Sequence, residues 1–406
     1  MGGLVSLSWL GDDRSSLPLV GRGRYAVGCA DLMVDDGQEG DSGVFARIFY
    51  PAVEEQNSDT ERPLWVPRSE YIYGLASYRK VSPKKYNFLF AWLVGEKRIA
   101  AGWQKPLFVQ SDDQMRFPLV VYSHGLSSCR LFQSAFCSSL ASHGFIVAAV
   151  EHRDRSACWT YTVQKDSSTE NAVEQPINMR FLTSEDNEFE IRNSQLHKRV
   201  SECVKLLGIL EEINMGDFCG VRSSSVGSNL ILGDDFDWSQ FKGRIDLRQT
   251  SIIGHSFGGA TALAASASSS DITCAVVIDG WMFPIEKDIY NQIQRPALFL
   301  NAAGFQWATN VRSMLEIGGE RNKNVLLTFG DTMHASFTDF SLAIPTLFAR
   351  CFGLCGKTDP YRCMEATVEI CVKFLKKEFG GSSEEFWNAV RNYDDFVSQG
   401  TNLKLT

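Results

Sequence analysis

Ser256, Asp279 and His334 follow one another along this chain in an order that acyl-transfer chemistry can use. Ser256 sits in Gly254-His255-Ser256-Phe257-Gly258, a G-x-S-x-G motif with the apolar pair Ile252-Ile253 before it and Ala260-Thr261-Ala262-Leu263-Ala264 after it. A buried strand running straight into a helix makes that turn sharp, so the flanking residues must be small and the serine oxygen is held out. A serine hydroxyl is a weak nucleophile at neutral pH, and it needs a base and an acid that orients the base. After Ser256 the only histidine is His334, in the loop Gly330-Asp331-Thr332-Met333-His334 beyond the apolar run Val325–Phe329. Between them Asp279 closes the apolar run Cys274–Ile278, where a carboxylate needs a partner. Asp331 and Asp339 compete for the role of acid. Both share one short loop with His334, where reach to the far side of the ring is poor. Asp279 is therefore expected to hold His334 in the tautomer that presents Nε2 to Ser256.

A developing oxyanion needs two N–H donors. Phe257, at the start of the helix, supplies one where the dipole helps. The other is expected from Leu126, in the loop Ser123-His124-Gly125-Leu126 that closes the run Phe117–Ser123. His124 precedes the nucleophile and reads as structural. His255 beside the elbow and Trp281 after Asp279 are candidates for the wall of a substrate pocket.

Runs of continuous apolar residues must carry these groups. Phe117–Ser123, Phe145–Val150, Ser251–Gly254, Ala275–Asp279, Pro296–Asn301 and Val325–Phe329 read as buried strands, and Val44–Tyr50 as an earlier one. Leu131–Ser142, Glu188–Ile213 and residues 364–378 read as helices. Their alternation implies an α/β protein with a mostly parallel sheet covered on both faces. Residues 68–103 place Tyr71, Tyr86, Phe88, Phe90 and Trp92 among Arg79, Lys80, Lys84 and Lys85. A helical pair over the core is the simpler reading; a surface that meets lipid is the sharper one. Residues 160–187 read as polar and irregular. The expected organisation is a flexible segment over 1–20, one catalytic domain over 21–395 and a flexible tail over 396–406.

The chain has 406 residues and a net charge of −8, which argues against nucleic-acid binding. Its 11 cysteines form no regular framework, and Cys351-x3-Cys355 lacks the partners of a zinc site. That usage suits a reducing compartment. Neither a secretory signal nor a long apolar span is evident. Met1-Gly2-Gly3-Leu4-Val5-Ser6 fits the pattern for myristoylation at Gly2, and a single such chain binds membrane only marginally.

Longer strings carry a resemblance. Ser123-His124-Gly125-Leu126, Leu140–Ala157, Gly254–Thr261, Asp279-Gly280-Trp281-Met282-Phe283-Pro284 and the His334 loop with Phe337, Asp339 and Phe340 resemble the platelet-activating factor acetylhydrolases, the group VII phospholipases A2. The likeness spans roughly residues 25–395. It implies an α/β-hydrolase fold and a calcium-independent serine esterase that needs no cofactor or metal and removes acetyl, short or oxidised sn-2 acyl groups from phospholipids. The family's triad falls on Ser256, Asp279 and His334, and its oxyanion donors on Leu126 and Phe257. The chain looks like the intracellular branch, which is cytoplasmic and carries the myristoylation pattern, so reversible membrane contact is expected. Gly280, Ser127-Ser128-Cys129 and Asp331 depart from the usual strings near the pocket. A carboxylesterase of other short esters and a non-catalytic lipid-binding protein are the alternatives.

Overall fold

The computed structural model describes residues 15–35, 43–54, 61–110, 115–165, 172–218, 229–319 and 323–405. Gly2 and its acylation pattern lie outside the described residues.

The strands, in chain order, are β1 (Ala26–Asp35), β2 (Val44–Ala52), β3 (Gly102–Trp103), β4 (Phe117–Ser123), β5 (Ile146–Val150), β6 (Trp159–Lys165), β7 (Ala172–Asn178), β8 (Asn229–Leu232), β9 (Ile245–His255), β10 (Ile272–Ile278), β11 (Ala297–Ala302), β12 (Val325–Phe329) and β13 (Val397–Gln399). The helices are α1 (Ser69–Tyr78), α2 (Pro83–Val94), α3 (Ser134–Ser142), α4 (Glu188–Met215), α5 (Phe257–Ser268), α6 (Ala308–Glu316), α7 (Asp339–Ala343), α8 (Thr346–Cys351), α9 (Pro360–Glu378) and α10 (Ser383–Arg391). Eleven strands form one sheet in the order β13-β12-β11-β10-β9-β4-β5-β2-β1-β3, with β8 on β1. From β12 to β5 all neighbours are parallel, and β2, β1 and β13 extend the sheet antiparallel.

The apolar runs exist because both faces are covered. Along β4, Val120 and Tyr122 join the core that holds Phe136, Leu140 and Phe374 of α3 and α9. The intervening Leu119 and Val121 join Leu196, Leu206 and Leu263 of α4 and α5 on the other face. Strand period two delivers alternate side chains to opposite layers.

The strand order positions the site. After β4 the chain moves to β5 on one side; after β9 it moves to β10, β11 and β12 on the other. Loops leaving the carboxyl ends of β4 and β9 therefore diverge and open a crevice between them. Ser123 and Gly254 are register partners at its floor.

One expectation is corrected, and residues 15–20 are seen to be packed and 397–399 paired in the sheet. Residues 160–187 contain the antiparallel hairpin β6–β7, which reads as irregular because its strands are rich in polar residues. At the amino end Leu17 and Val20 are buried, and the Leu17 N–H donates to the Arg98 carbonyl at 2.7 Å, so 15–20 are packed. The carboxyl tail supplies β13, which pairs with β12 from Val397 to Gln399.

Candidate active site

Ser256 stands between β9 and α5 with φ 58° and ψ −119°, a region hostile to a side chain. The turn is tight enough that a Cβ on Gly254 would lie 1.8 Å from the Gly258 carbonyl oxygen. One on Gly258 would lie 2.0 Å from the Ser123 oxygen. The strained residue is pinned by its own backbone. Its N–H donates to Ile278 O at 2.9 Å, and its carbonyl accepts from Gly259 and Trp281 N–H at 2.9 and 3.0 Å.

His334 begins a 3-10 turn in the loop after β12. Its Nδ1 lies 2.7 Å from Asp279 Oδ2. The other carboxylate oxygen, Oδ1, accepts the Ala302 N–H at 2.8 Å. The alternative acids are engaged elsewhere or turned outward. Asp339 accepts the amides of Ser134 and Ala135 at 2.7 and 3.1 Å, and Asp331 is exposed. With Nδ1–H given to a carboxylate, Nε2 keeps its lone pair. The ring is stacked between His255, at 4.5 Å between centroids, and Phe305, at 3.7 Å. Burial pushes the imidazole of His334 down to about 4, so it stays in the proton-accepting form. The same desolvation pushes the Asp279 carboxyl up, against the pull of the Ala302 amide and of His255.

Ser256, His255 and His334 line one cavity of about 200 Å³ with Gly125, Leu126, Ser127 and Ser128. Leu75, Leu89, Phe90, Leu93, Phe340 and Ile344 make most of its remaining wall apolar, with Arg79, Gln133 and Thr338 as polar exceptions. Gly125 abuts Ser256: a Cβ there would lie 3.0 Å from Ser256 Cβ. Among the described residues, the amides of Leu126 and Phe257 donate to no protein acceptor. Positive φ clusters here too, at Ser127 (54°), Ser256 (58°), Asp279 (50°) and Asp331 (50°). Such a site can attack an acyl carbon, receive the hydroxyl proton and hold a developing oxyanion.

Trp281 is placed differently from its sequence expectation. It does not line the cavity; it sits behind the elbow, edge-on to Phe257 at 5.6 Å and stacked on Phe283. The short chain path from Asp279 back to the Ser256 carbonyl puts it there.

Sequence reasoning missed four contributors: Phe305, Gln133, Arg199 and Glu202. Phe305 ends a single 3-10 turn after β11, too short to leave a sequence pattern. Gln133 lines the cavity with a buried side-chain amide whose polar atoms have no partner among the described residues. Arg199 and Glu202 are buried on α4. Their signal is legible in retrospect, because Arg199 interrupts the apolar stripe Leu196, Cys203, Leu206 and Leu210 at helical spacing.

Residues 12–396 match the family model described as platelet-activating factor acetylhydrolase, isoform II. The chain is 33% identical over 388 residues to the platelet-activating factor acetylhydrolase of Canis lupus familiaris, covering 95% of this chain and 83% of that protein. The enzyme of the same name from Gallus gallus is 33% identical over 396 residues, covering 95% and 90%. Among solved structures, a ferulic acid esterase from Streptomyces cinnamoneus superposes with a TM-score of 0.56 at 17% identity, covering 93% of this chain and 96% of that one. That likeness concerns the fold.

Proposed function

The chain belongs to the platelet-activating factor acetylhydrolase family, isoform II, and from that premise we propose that Ser256, His334 and Asp279 are the catalytic triad of a phospholipid esterase. The substrate is the sn-2 acetyl, short or oxidised acyl ester of platelet-activating factor and related phospholipids. The observation that carries the assignment is the strained Ser256 opening, with the Asp279-bound ring of His334, on one largely apolar cavity.

In the reaction Ser256 Oγ attacks the sn-2 carbonyl carbon while His334 Nε2 takes the hydroxyl proton. The amides of Leu126 and Phe257 hold the oxyanion. As the tetrahedral species collapses, the ester C–O bond breaks and His334 protonates the departing lysophospholipid oxygen. Water then attacks the acyl-enzyme, again losing its proton to His334, and acetate or a short acid leaves. Asp279 fixes the ring and stabilises the transient imidazolium. No step calls on calcium.

Lipid presented in a membrane is favoured over freely soluble esters by the surface around the cavity. Phe88, Trp92, Leu347 and Phe352 are exposed, and Trp92 packs edge-on to Phe348 at 6.1 Å. Leu89 and Phe352 belong both to this surface and to the cavity wall. Lys80, Lys84 and Lys85 flank it, where their heads suit a headgroup layer. Among the described residues no helix is long and apolar enough to cross a membrane, so the contact is peripheral. A myristoyl chain at Gly2 would add to it.

The test is hydrolysis of sn-2 acyl phospholipids of graded chain length, in vesicles and in monomeric form, with and without a calcium chelator. Acetyl and short chains in vesicles should be the best substrates, and the chelator should change nothing. Equal rates on water-soluble esters and vesicle lipid would favour a general carboxylesterase.

A further inference from the structure

Gly125 and Leu126 share one peptide unit, whose carbonyl belongs to Gly125 and whose N–H belongs to Leu126. In a planar trans peptide these two point in opposite directions, so whatever grips the oxygen aims the amide. Two buried side chains hold that oxygen. His124 Nδ1 lies 2.9 Å from it and Arg199 Nη2 lies 3.4 Å from it.

The tautomer of His124 follows from its other nitrogen. Nε2 accepts the backbone N–H of His152 at 3.1 Å, which leaves the proton on Nδ1 to be donated to the Gly125 oxygen. Burial keeps the ring neutral, as that pairing requires.

Arg199 reaches further. Nη1 donates to the His124 carbonyl at 2.6 Å, and Nε donates to Asp154 Oδ2 and Ser156 Oγ, each at 3.0 Å. The Ser156 carbonyl in turn accepts the Ser127 N–H at 2.8 Å, on the far side of Leu126. The guanidinium carbon also lies 4.2 Å from the ring centroid of Phe257, the residue that carries the other free amide. A guanidinium is a demanding way to fill a helix interface, because its desolvation must be offset by a carboxylate and by nearly all of its donors. Asp154 provides the charge, and the donors go to the loop behind Leu126.

We propose that Arg199, with His124 beside it on the Gly125 carbonyl, is a positioning residue of the oxyanion hole, setting the Leu126 N–H against that of Phe257 without touching substrate. This rests on the reading of Ser256 as nucleophile. An oxyanion donor must meet the anion at 2.7–3.1 Å, so a small rotation of the Gly125–Leu126 peptide weakens the transition state and leaves substrate binding alone.

The test compares Arg199→Lys, which keeps a charge beside Asp154 but cannot span the loop, with the pair Arg199→Met and Asp154→Asn, which leaves no buried unpaired charge. Turnover is expressed per active site, counted by stoichiometric organophosphorylation of Ser256. Inhibition is measured with a trifluoromethyl ketone, whose tetrahedral adduct places an oxyanion in the hole, and with the matching carbonyl-free ether. We expect kcat to fall by ~10- to 100-fold, less than the loss typical of deleting a donor outright, with the ketone weakened by a similar factor and KM and ether binding little changed. His124→Leu should behave alike, whereas His124→Asn, which keeps an N–H near Nδ1, should recover most of the loss. That arm stands even if both Arg199 variants fail to fold. Wild-type turnover per site in His124→Leu or Arg199→Lys would overturn the proposal, as would equal weakening of ketone and ether. Ser256→Ala run in parallel separates the two claims, because turnover surviving there overturns the nucleophile instead.

Discussion

Two serine–histidine–carboxylate arrays lie side by side at the carboxyl ends of neighbouring strands, one facing a cavity and the other sealed. In the sealed one, Ser123 Oγ is 2.8 Å from His152 Nε2, and His152 Nδ1 is 2.7 Å from Glu202 Oε2. In the open one, His334 Nδ1 is 2.7 Å from Asp279 Oδ2, with Ser256 facing the same cavity as the ring. Hydrogen-bond distances alone would favour the sealed one, whose serine–histidine bond is closed at 2.8 Å. The difference lies around the serine. Ser123 sits within regular strand β4 with none of its surface exposed, and its array fastens β4, β5 and α4 together. Ser256 occupies a strained turn at a helix N-terminus, beside two unengaged amides and an apolar cavity. On the proposed reading, a triad is made by strain, access and free donors as much as by the three side chains, and the sealed array serves as scaffold.

The comparison breaks most clearly at the two serines. Ser256→Ala should lower turnover by about a millionfold, as loss of a serine nucleophile does elsewhere. Ser123→Ala should leave turnover per folded molecule near wild type and destabilise the protein by about 1–3 kcal/mol, since it strands a buried acceptor on His152. Acyl release and thermal unfolding, measured on both variants, decide it; a dead but well-folded Ser123→Ala protein would reverse the roles. The carboxylates come next. Asp279→Asn should cost about ten-thousandfold in kcat by holding the wrong tautomer, whereas Glu202→Gln should show chiefly in the melting temperature. A smaller effect concerns pH. As the proposed base His334 acts in its neutral form, and burial depresses its folded pKa from the ordinary 6.5 to about 4. Activity is therefore present above that depressed value and is lost as pH falls through it. The acid limb of kcat/KM should lie below pH 6.5, and a limb above it would mean that Asp279 outweighs desolvation.

What the sequence made legible follows the same division. Phe117–Ser123 and Val325–Phe329 coincide with β4 and β12 because strands buried on both faces must be continuously apolar. Chain order then singled out Ser256 and Asp279, directly after β9 and β10, and His334, in the loop after β12. Elements that face water on one side were harder: β6 and β7 carry Thr, Gln and Glu, and β13 is only Val397–Gln399. Buried polar groups were hardest. Arg199 and Glu202 on α4 look like surface charges until the fold supplies Asp154, His152 and the Gly125 carbonyl. Trp281 was misplaced for a related reason, since strand order cannot tell which side of the elbow a following residue takes.

The clustering of Ser127, Ser256, Asp279 and Asp331 in backbone conformations made for glycine has a bearing on breeding hardier variants. Such positions carry strain of order 1–3 kcal/mol each, and a glycine would relieve it, less the freedom it returns to the unfolded chain. A directed-evolution campaign that scores only survival after heating would therefore be drawn toward these four codons, and at two of them it would collect sturdy proteins without the proposed nucleophile or the proposed acid. Selection for heat resistance here has to be coupled to ester turnover at every round.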